Sequence, residues 1–131
     1  MTYRFEFDPK NKIFLCRMGG AVTDESLKEC YWAVAKRAAV TPHNFGILDM
    51  SGVTKMDVSA GTLRELAYSE PAMPNPSTQP RFFVAPAPHI YGLARMYQSL
   101  GEGKRPLLKV VSTMVEVYEM LGISESPFEP I

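Results

Sequence analysis

At 131 residues, with 14 lysines plus arginines against 14 aspartates plus glutamates, the chain is the size of one domain and carries no net charge. That length buries a core without disulfide or metal staples, and the balanced charge leaves no overall field to gather nucleic acid or an anionic membrane surface. No run approaches the roughly 20 apolar residues of a membrane span, and the opening Met-Thr-Tyr-Arg-Phe-Glu-Phe-Asp is unlike a secretion signal, so a cytoplasmic protein without membrane insertion is expected.

Tyr3, Phe5 and Phe7 alternate with Thr2, Arg4, Glu6 and Asp8, the period-two pattern of a strand with one wet face. Asp8-Pro9-Lys10-Asn11 places proline where a type I turn takes it, and residues 12–18 resume an extended apolar run, so the chain opens with an antiparallel hairpin. Gly19-Gly20 is read as the end of that strand. Thr23, Asp24 and Glu25 then set a capping hydroxyl and two carboxylates at the positive end of a helix. Leu27, Tyr31, Val34 and Ala38 share its apolar face, and Thr41-Pro42 stops it near Ala39. Trp32 lies just off that stripe, placed either to pack at the core margin or to touch a partner subunit. Cys16 and Cys30 fall in a strand and a helix, with no CxxC and no clustered histidines, so no zinc site forms and two buried reduced thiols are expected.

Residues 45–67 organise the rest. Phe45, Ile47, Leu48 and Met50 make an apolar run too short for a helix, with breaks at Gly46 and Ser51-Gly52, which predicts a central strand followed by a polar loop. Ala60, Leu63, Leu66 and Ala67 fall at helical spacing, and Ser59 is placed to cap the first turn. Pro71, Pro74, Pro76 and Pro80 rule out regular structure and predict a surface loop. Residues 81–85 read as the next strand, and Ile90, Leu93, Ala94, Tyr97 and Leu100 form the inner stripe of a third helix. A last strand spans 107–111, and Thr113 with Glu116 is a capping box opening a fourth helix that Gly122 closes. These elements predict a single domain over 1–123, with 124–131 a frayed tail. The order ββαβαβαβα implies an α/β fold with a mixed sheet of about five strands and about four helices. If the crossovers put most helices on one side, the opposite sheet face, carrying the aromatics of the first strand, needs cover from a second copy or a ligand.

Loops leaving the carboxyl ends of parallel strands share one rim where sites concentrate. That rim is expected to gather Asp49, Ser51, Asp57 and Ser59, then His89 and Tyr91, with Arg95 one turn further on. It holds Ser, His and Asp, yet no G-x-S-x-G turn exposes a nucleophile and no glycine-rich phosphate loop follows a strand. Asp49 and Asp57 are candidates for an acid and base, or for the commoner task of loop aspartates, accepting backbone amides. Arg95 beside Tyr91 would suit an anionic ligand or a structural ion pair.

The element order and the phrase Ile47-Leu48-Asp49-Met50-Ser51-Gly52-Val53-Thr54-Lys55-Met56-Asp57-Val58-Ser59 resemble the STAS domain of anti-sigma factor antagonists, the SpoIIAA-like proteins, over nearly the whole chain. Val84-Ala85-Pro86 with Tyr91-Gly92-Leu93-Ala94-Arg95-Met96 is similar to a bacterial single-domain subgroup of unestablished role. In the antagonists the corresponding loop reads Asp-Ser-Ser-Gly, and its first serine is phosphorylated by an anti-sigma kinase. Here Asp57 fits the aspartate, Val58 replaces the phosphorylated serine, Ser59 fits the second serine and Ala60 replaces glycine. The resemblance therefore implies a non-enzymatic module without a cofactor. Its loop, Asp57, Val58 and Ser59, would meet a protein partner such as an anti-sigma-type regulator, and its usual switch residue is missing. The alternative is a small apolar-ligand or lipid carrier of SEC14-like type, in which a pocket is walled by the first strand and third helix.

Overall fold

The computed structural model describes residues 1–131. Its elements are β1 (Thr2–Asp8), β2 (Ile13–Thr23), α1 (Asp24–Ala39), β3 (Phe45–Asp57), α2 (Ala60–Tyr68), β4 (Arg81–Val84), α3 (Pro88–Leu100), β5 (Leu108–Val111), α4 (Met114–Leu121) and β6 (Glu129–Pro130). They form one mixed sheet in the order β5-β4-β3-β2-β1-β6. The β1–β2 and β1–β6 pairs are antiparallel, and β2, β3, β4 and β5 run parallel. The α/β class and the four helices are as expected, and the sheet has one strand more. No helix is long and apolar enough to cross a membrane.

Local chemistry sets the helix boundaries. The hydroxyl of Thr23 accepts from the amide of Ser26 at 3.3 Å while the Ser26 hydroxyl accepts from the amide of Thr23 at 2.9 Å, satisfying two amides at the start of α1. Thr113 and Glu116 do the same for α4, which ends at Gly122 in the left-handed conformation, φ 70°.

α1 and α3 cover one face of the sheet, setting Cys30, Val34, Ala38, Ile90 and Ala94 against Phe14, Cys16, Met18 and Met50. α2 joins them through Leu66 and Ala67, which pack with Tyr97 of α3 and Leu108 of β5. α4 lies on the other face, where Val117 meets Ile13, Leu15, Ile47, Phe82 and Val84. The period of two decides which residue goes where: Tyr3 and Phe5 turn to the three-helix side, so the opposite face is not the aromatic surface expected from β1. Beyond α4 that face carries Arg4, Glu6, Arg17 and Asp49, a polar surface that needs no second copy to cover it. Trp32 is 57% exposed, and its ring meets that of the neighbouring Tyr31 in a T-shaped contact at 5.2 Å.

Three expectations need correction. Gly19-Gly20 and Ser51-Gly52 do not end their strands; β2 and β3 continue side by side to Thr23 and Asp57, with register shifts between Arg17 and Gly19 and between Gly20 and Ala21 where β3 carries an extra residue. Pairing gives the backbone of the expected polar loop its hydrogen-bond partners, and that outweighs the local glycine signal. The end of the chain does not fray: Glu129 and Pro130 lie opposite Phe7 and Glu6, the amide of Ile131 donates to the carbonyl of Phe5 at 3.1 Å, and the hydroxyl of Ser126 donates to Asp8.

Candidate functional site

Extension of β2 and β3 brings their last residues, Thr23 and Asp57, into register, so α1 and α2 begin side by side. Ser59 caps α2, its hydroxyl accepting from the amide of Thr62 at 3.1 Å. The same hydroxyl donates to Asp24 Oδ2 at 3.0 Å, and the Ser59 amide donates to Asp24 Oδ1 at 2.8 Å. The first carboxylate of α1 thus clasps the cap of α2. The Ser59 amide, followed by its hydroxyl, holds the Asp24 carboxyl below its ordinary range. Lys28 and Glu65, 2.8 Å apart, add an exposed ion pair between the same helices that contributes little by itself. Asp57 and Ser59 are exposed, whereas Val58 between them is half-buried against the three-helix core. The position that the resemblance gives to the phosphorylated serine is therefore an anchor turned inward. Ser59 is recognisable from sequence as the cap, whereas Asp24 is recognisable only as a carboxylate at its own helix end.

The wider rim does not assemble. Asp49 and Ser51 lie within β3, short of its carboxyl end, and on the face opposite α3. Arg17 reaches Asp49 Oδ2 at 2.7 Å and Glu6 Oε2 at 2.7 Å, Arg4 reaches Glu6 at 3.1 Å, and the Ser51 hydroxyl and amide donate to Asp49 Oδ1 at 2.6 and 3.0 Å. Asp49 is thereby committed to a charge row spanning β1 to β3 and is not free to pair with Asp57 as acid or base. On the three-helix side, His89 and Arg95 are exposed on α3, and Tyr91 is half-buried against the core.

Between the sheet and the three helices lies an apolar cavity of about 130 Å3, with Met18, Met50, Leu63, Met73, Phe83 and Leu93 among its walls. The carrier reading expected walls from β1 and α3; α3 supplies Ile90, Leu93, Ala94 and Tyr97, but the sheet side comes from β2 to β5. Cys30 also borders it.

Cys16 and Cys30 are both free and buried, 0% and 2% exposed. The hydrogen bond between the two thiols, followed by burial, pushes the Cys16 thiol far above its ordinary value. Neither thiol is expected to react with a disulfide reagent in the folded protein, and both should react together once urea unfolds it. Prompt native-state reaction of either one would show that the site is open.

No family model and no curated protein matches the chain. Among solved structures it is similar to the unphosphorylated form of the anti-sigma factor antagonist SpoIIAA, with TM-score 0.57 and 12% identity over 95% of this chain and 100% of that one. It is also similar to the phosphorylated form of the Bacillus cell fate determinant SpoIIAA, with TM-score 0.50 and 12% identity over 91% and 99% of the two chains. At that identity the likeness establishes the fold alone: the chain is built on the same fold as SpoIIAA.

Proposed function

We propose that this SpoIIAA-like domain is a non-enzymatic docking module whose partner, an anti-sigma-type regulatory protein, is met by the joined starts of α1 and α2. The observation carrying this reading is the clasp itself. Asp57 and Ser59 are presented at the surface while Asp24 and Val58 hold the loop in place from either side, giving a pre-ordered polar surface that a partner can bind with little ordering cost. Its exposed acidic groups favour a partner with lysine or arginine at the contact. The SpoIIAA comparison supports this class of role, since that protein is an anti-sigma factor antagonist. Val58 cannot carry a phosphate, so the proposed module works without the serine switch that the resemblance describes. Two reduced thiols suit action in the cytoplasm.

Affinity capture with the wild-type chain is expected to recover such a partner. Asp57→Arg, and separately Ser59→Glu, which sets a second carboxylate against Asp24, should each weaken binding by about tenfold or more without unfolding the domain. A partner that binds both variants as well as the wild type would overturn the assignment of this surface, and capture of none would overturn the docking role.

A further inference from the structure

His43, between α1 and β3, sits in a setting that suits only its neutral form. It is 7% exposed, and its ring lies against Phe14 with centroids 5.5 Å apart. Nδ1 is 2.6 Å from the carbonyl of Thr41, which can only accept, so Nδ1 holds the proton and Nε2 keeps the lone pair. Nε2 is buried with no hydrogen-bond partner. A proton added there would bring an N–H that no acceptor meets and a charge that no anion answers. The charged side chains near it are cations: Arg81 of β4, whose field reaches the ring, Lys12 just before β2, which lines the same polar hollow, and Arg37 of α1, which lies over Phe5, the ring stacked on Phe14. No carboxylate lines that hollow. Burial holds the imidazole below its ordinary value, opposed by the Thr41 carbonyl and helped by Arg81.

Arg81 ties this histidine to residues 71–80, which form neither helix nor strand. Its terminal nitrogens donate to the carbonyls of Pro74 and Pro80 at 2.5 and 3.1 Å and to the Gln79 side chain at 2.9 Å, and it belongs to no ion pair. Pro74, Asn75 and Gln79 share the hollow with His43. The same segment supplies Pro71, Ala72, Met73 and Pro76 to the wall of the apolar cavity. Met73 is seated over Gly46, where a Cβ would strike both its Sδ and Arg81 Cδ, so methionine, glycine and arginine interlock there. Residues 71–80 are thus a strap along the cavity, clipped by a cation that has no counter-charge.

We infer that His43 and Arg81 form an acid-sensitive latch: protonation of His43 sets a second cation beside the clip and frees the strap, opening the cavity while the sheet stays folded. The strap yields first because it is fixed by a few single hydrogen bonds and one methionine, whereas Phe14 and the β2–β3 pairing belong to the core. A histidine lowered in the folded state leaves stability untouched above its unfolded value of about 6.5 and withdraws it as pH falls below that value. The latch is therefore closed at neutral pH and opens on acidification. It shares no residue with the docking surface.

Hydrogen exchange of the full chain, corrected for the pH dependence of the exchange chemistry, tests the latch. Protection of the Gly46 amide, which donates to Pro80, and of the Gln79 amide, which donates to Asn75, is expected to fall about tenfold or more between about pH 7.5 and about pH 5. His43→Phe, which keeps a ring and takes no proton, should make both flat with pH, whereas His89→Ala, at the other histidine, and Asp57→Arg should leave the fall in place. Should His43→Phe fail to fold, the wild type decides: the loss must begin near about pH 6.5 and continue down to the pH at which the His43 ring signals titrate, and any other range overturns the latch. Flat protection in the wild type, a fall that survives His43→Phe, or a fall confined to the slowest core amides, which marks protonation only on global unfolding, would each overturn it as well.

Discussion

Arg105→Met is expected to destabilise the domain by about 3 to 5 kcal/mol, a large share of the total stability of a domain of this size. The guanidinium joins three elements at once. It donates to the Leu66, Ala67 and Ser69 carbonyls at the end of α2, to the hydroxyl of Tyr31 on α1 at 3.0 Å, and it lies over the ring of Tyr97 on α3 at 4.8 Å. The last carbonyls of a helix lack partners within it; here the Leu66 carbonyl also accepts the Ser69 amide at 3.2 Å, whereas the carbonyl of Ala67, a fully buried residue, depends on Arg105. Methionine keeps much of the volume but donates nothing, so the cost is that of stranded carbonyls with little of it due to a cavity. Urea melts should show a lower midpoint with an unchanged slope, and thermal unfolding should come about 10 °C or more earlier. A loss under about 1 kcal/mol would mean that water reaches the end of α2. Tyr31 loses a donor in the same variant; burial raises its phenol above the ordinary value, with Arg105 opposing, so its ionisation should move further up.

What makes Arg105 hard to find in the sequence is what makes it matter. An arginine that follows Gly101-Glu102-Gly103-Lys104 in a turn carries no local sign of a buried role, and only the return of β5 beside β4 brings it under α2. Signals confined to a few neighbouring residues are legible: Thr23 and Ser59 as caps, the Thr113–Glu116 box, the left-handed Gly122, the period of β1. These are contests between side chain and backbone within one turn, decided before any distant partner arrives. The extended halves of β2 and β3 are not legible, because Gly20 and Gly52 weaken a strand locally while the neighbouring strand supplies what they lack.

The same division runs through the candidate site. Ser59 is visible as a cap, but Asp24 is 35 residues away in sequence and meets it only because two strands end in register. Asp49 reads as a loop residue because Ser51-Gly52 looks like a break; as a strand residue it points with Ile47 toward the α4 side, where Arg17 takes it. Extension of β3 to Asp57 thus removes Asp49 and Ser51 from the expected rim. Arg81 leaves no sequence signal of its own, since its unpaired Nε–H and its lack of a counter-charge are properties of the assembled core.

Asp8 yields the second large effect, and it has a pH signature. The side chain is fully buried at the hairpin turn, where Oδ1 accepts from the amides of Lys10 at 2.8 Å and Asn11 at 3.1 Å, and Oδ2 accepts from the Asn11 amide group at 2.6 Å and from the Ser126 hydroxyl. Burial alone would raise this carboxyl, but the hydrogen bonds from Ser126, Asn11 and Lys10 outweigh it and hold it below the ordinary value. A carboxyl lowered in the folded state contributes stability that is fully present above its unfolded value of about 3.9 and is lost as pH falls through the folded one. Asp8→Asn sets an NH2 group against donors and should cost about 2 to 3 kcal/mol at neutral pH. The gap from wild type should then narrow as pH drops below about 4, because protonated Asp8 fails in much the same way. The variant should also release the carboxyl-terminal strand, seen as faster hydrogen exchange at the Ile131 amide, which pairs with Phe5 in the wild type. Parallel acid-unfolding curves for the two proteins, or an Ile131 amide equally protected in both, would show that Asp8 neither titrates with folding nor anchors the tail.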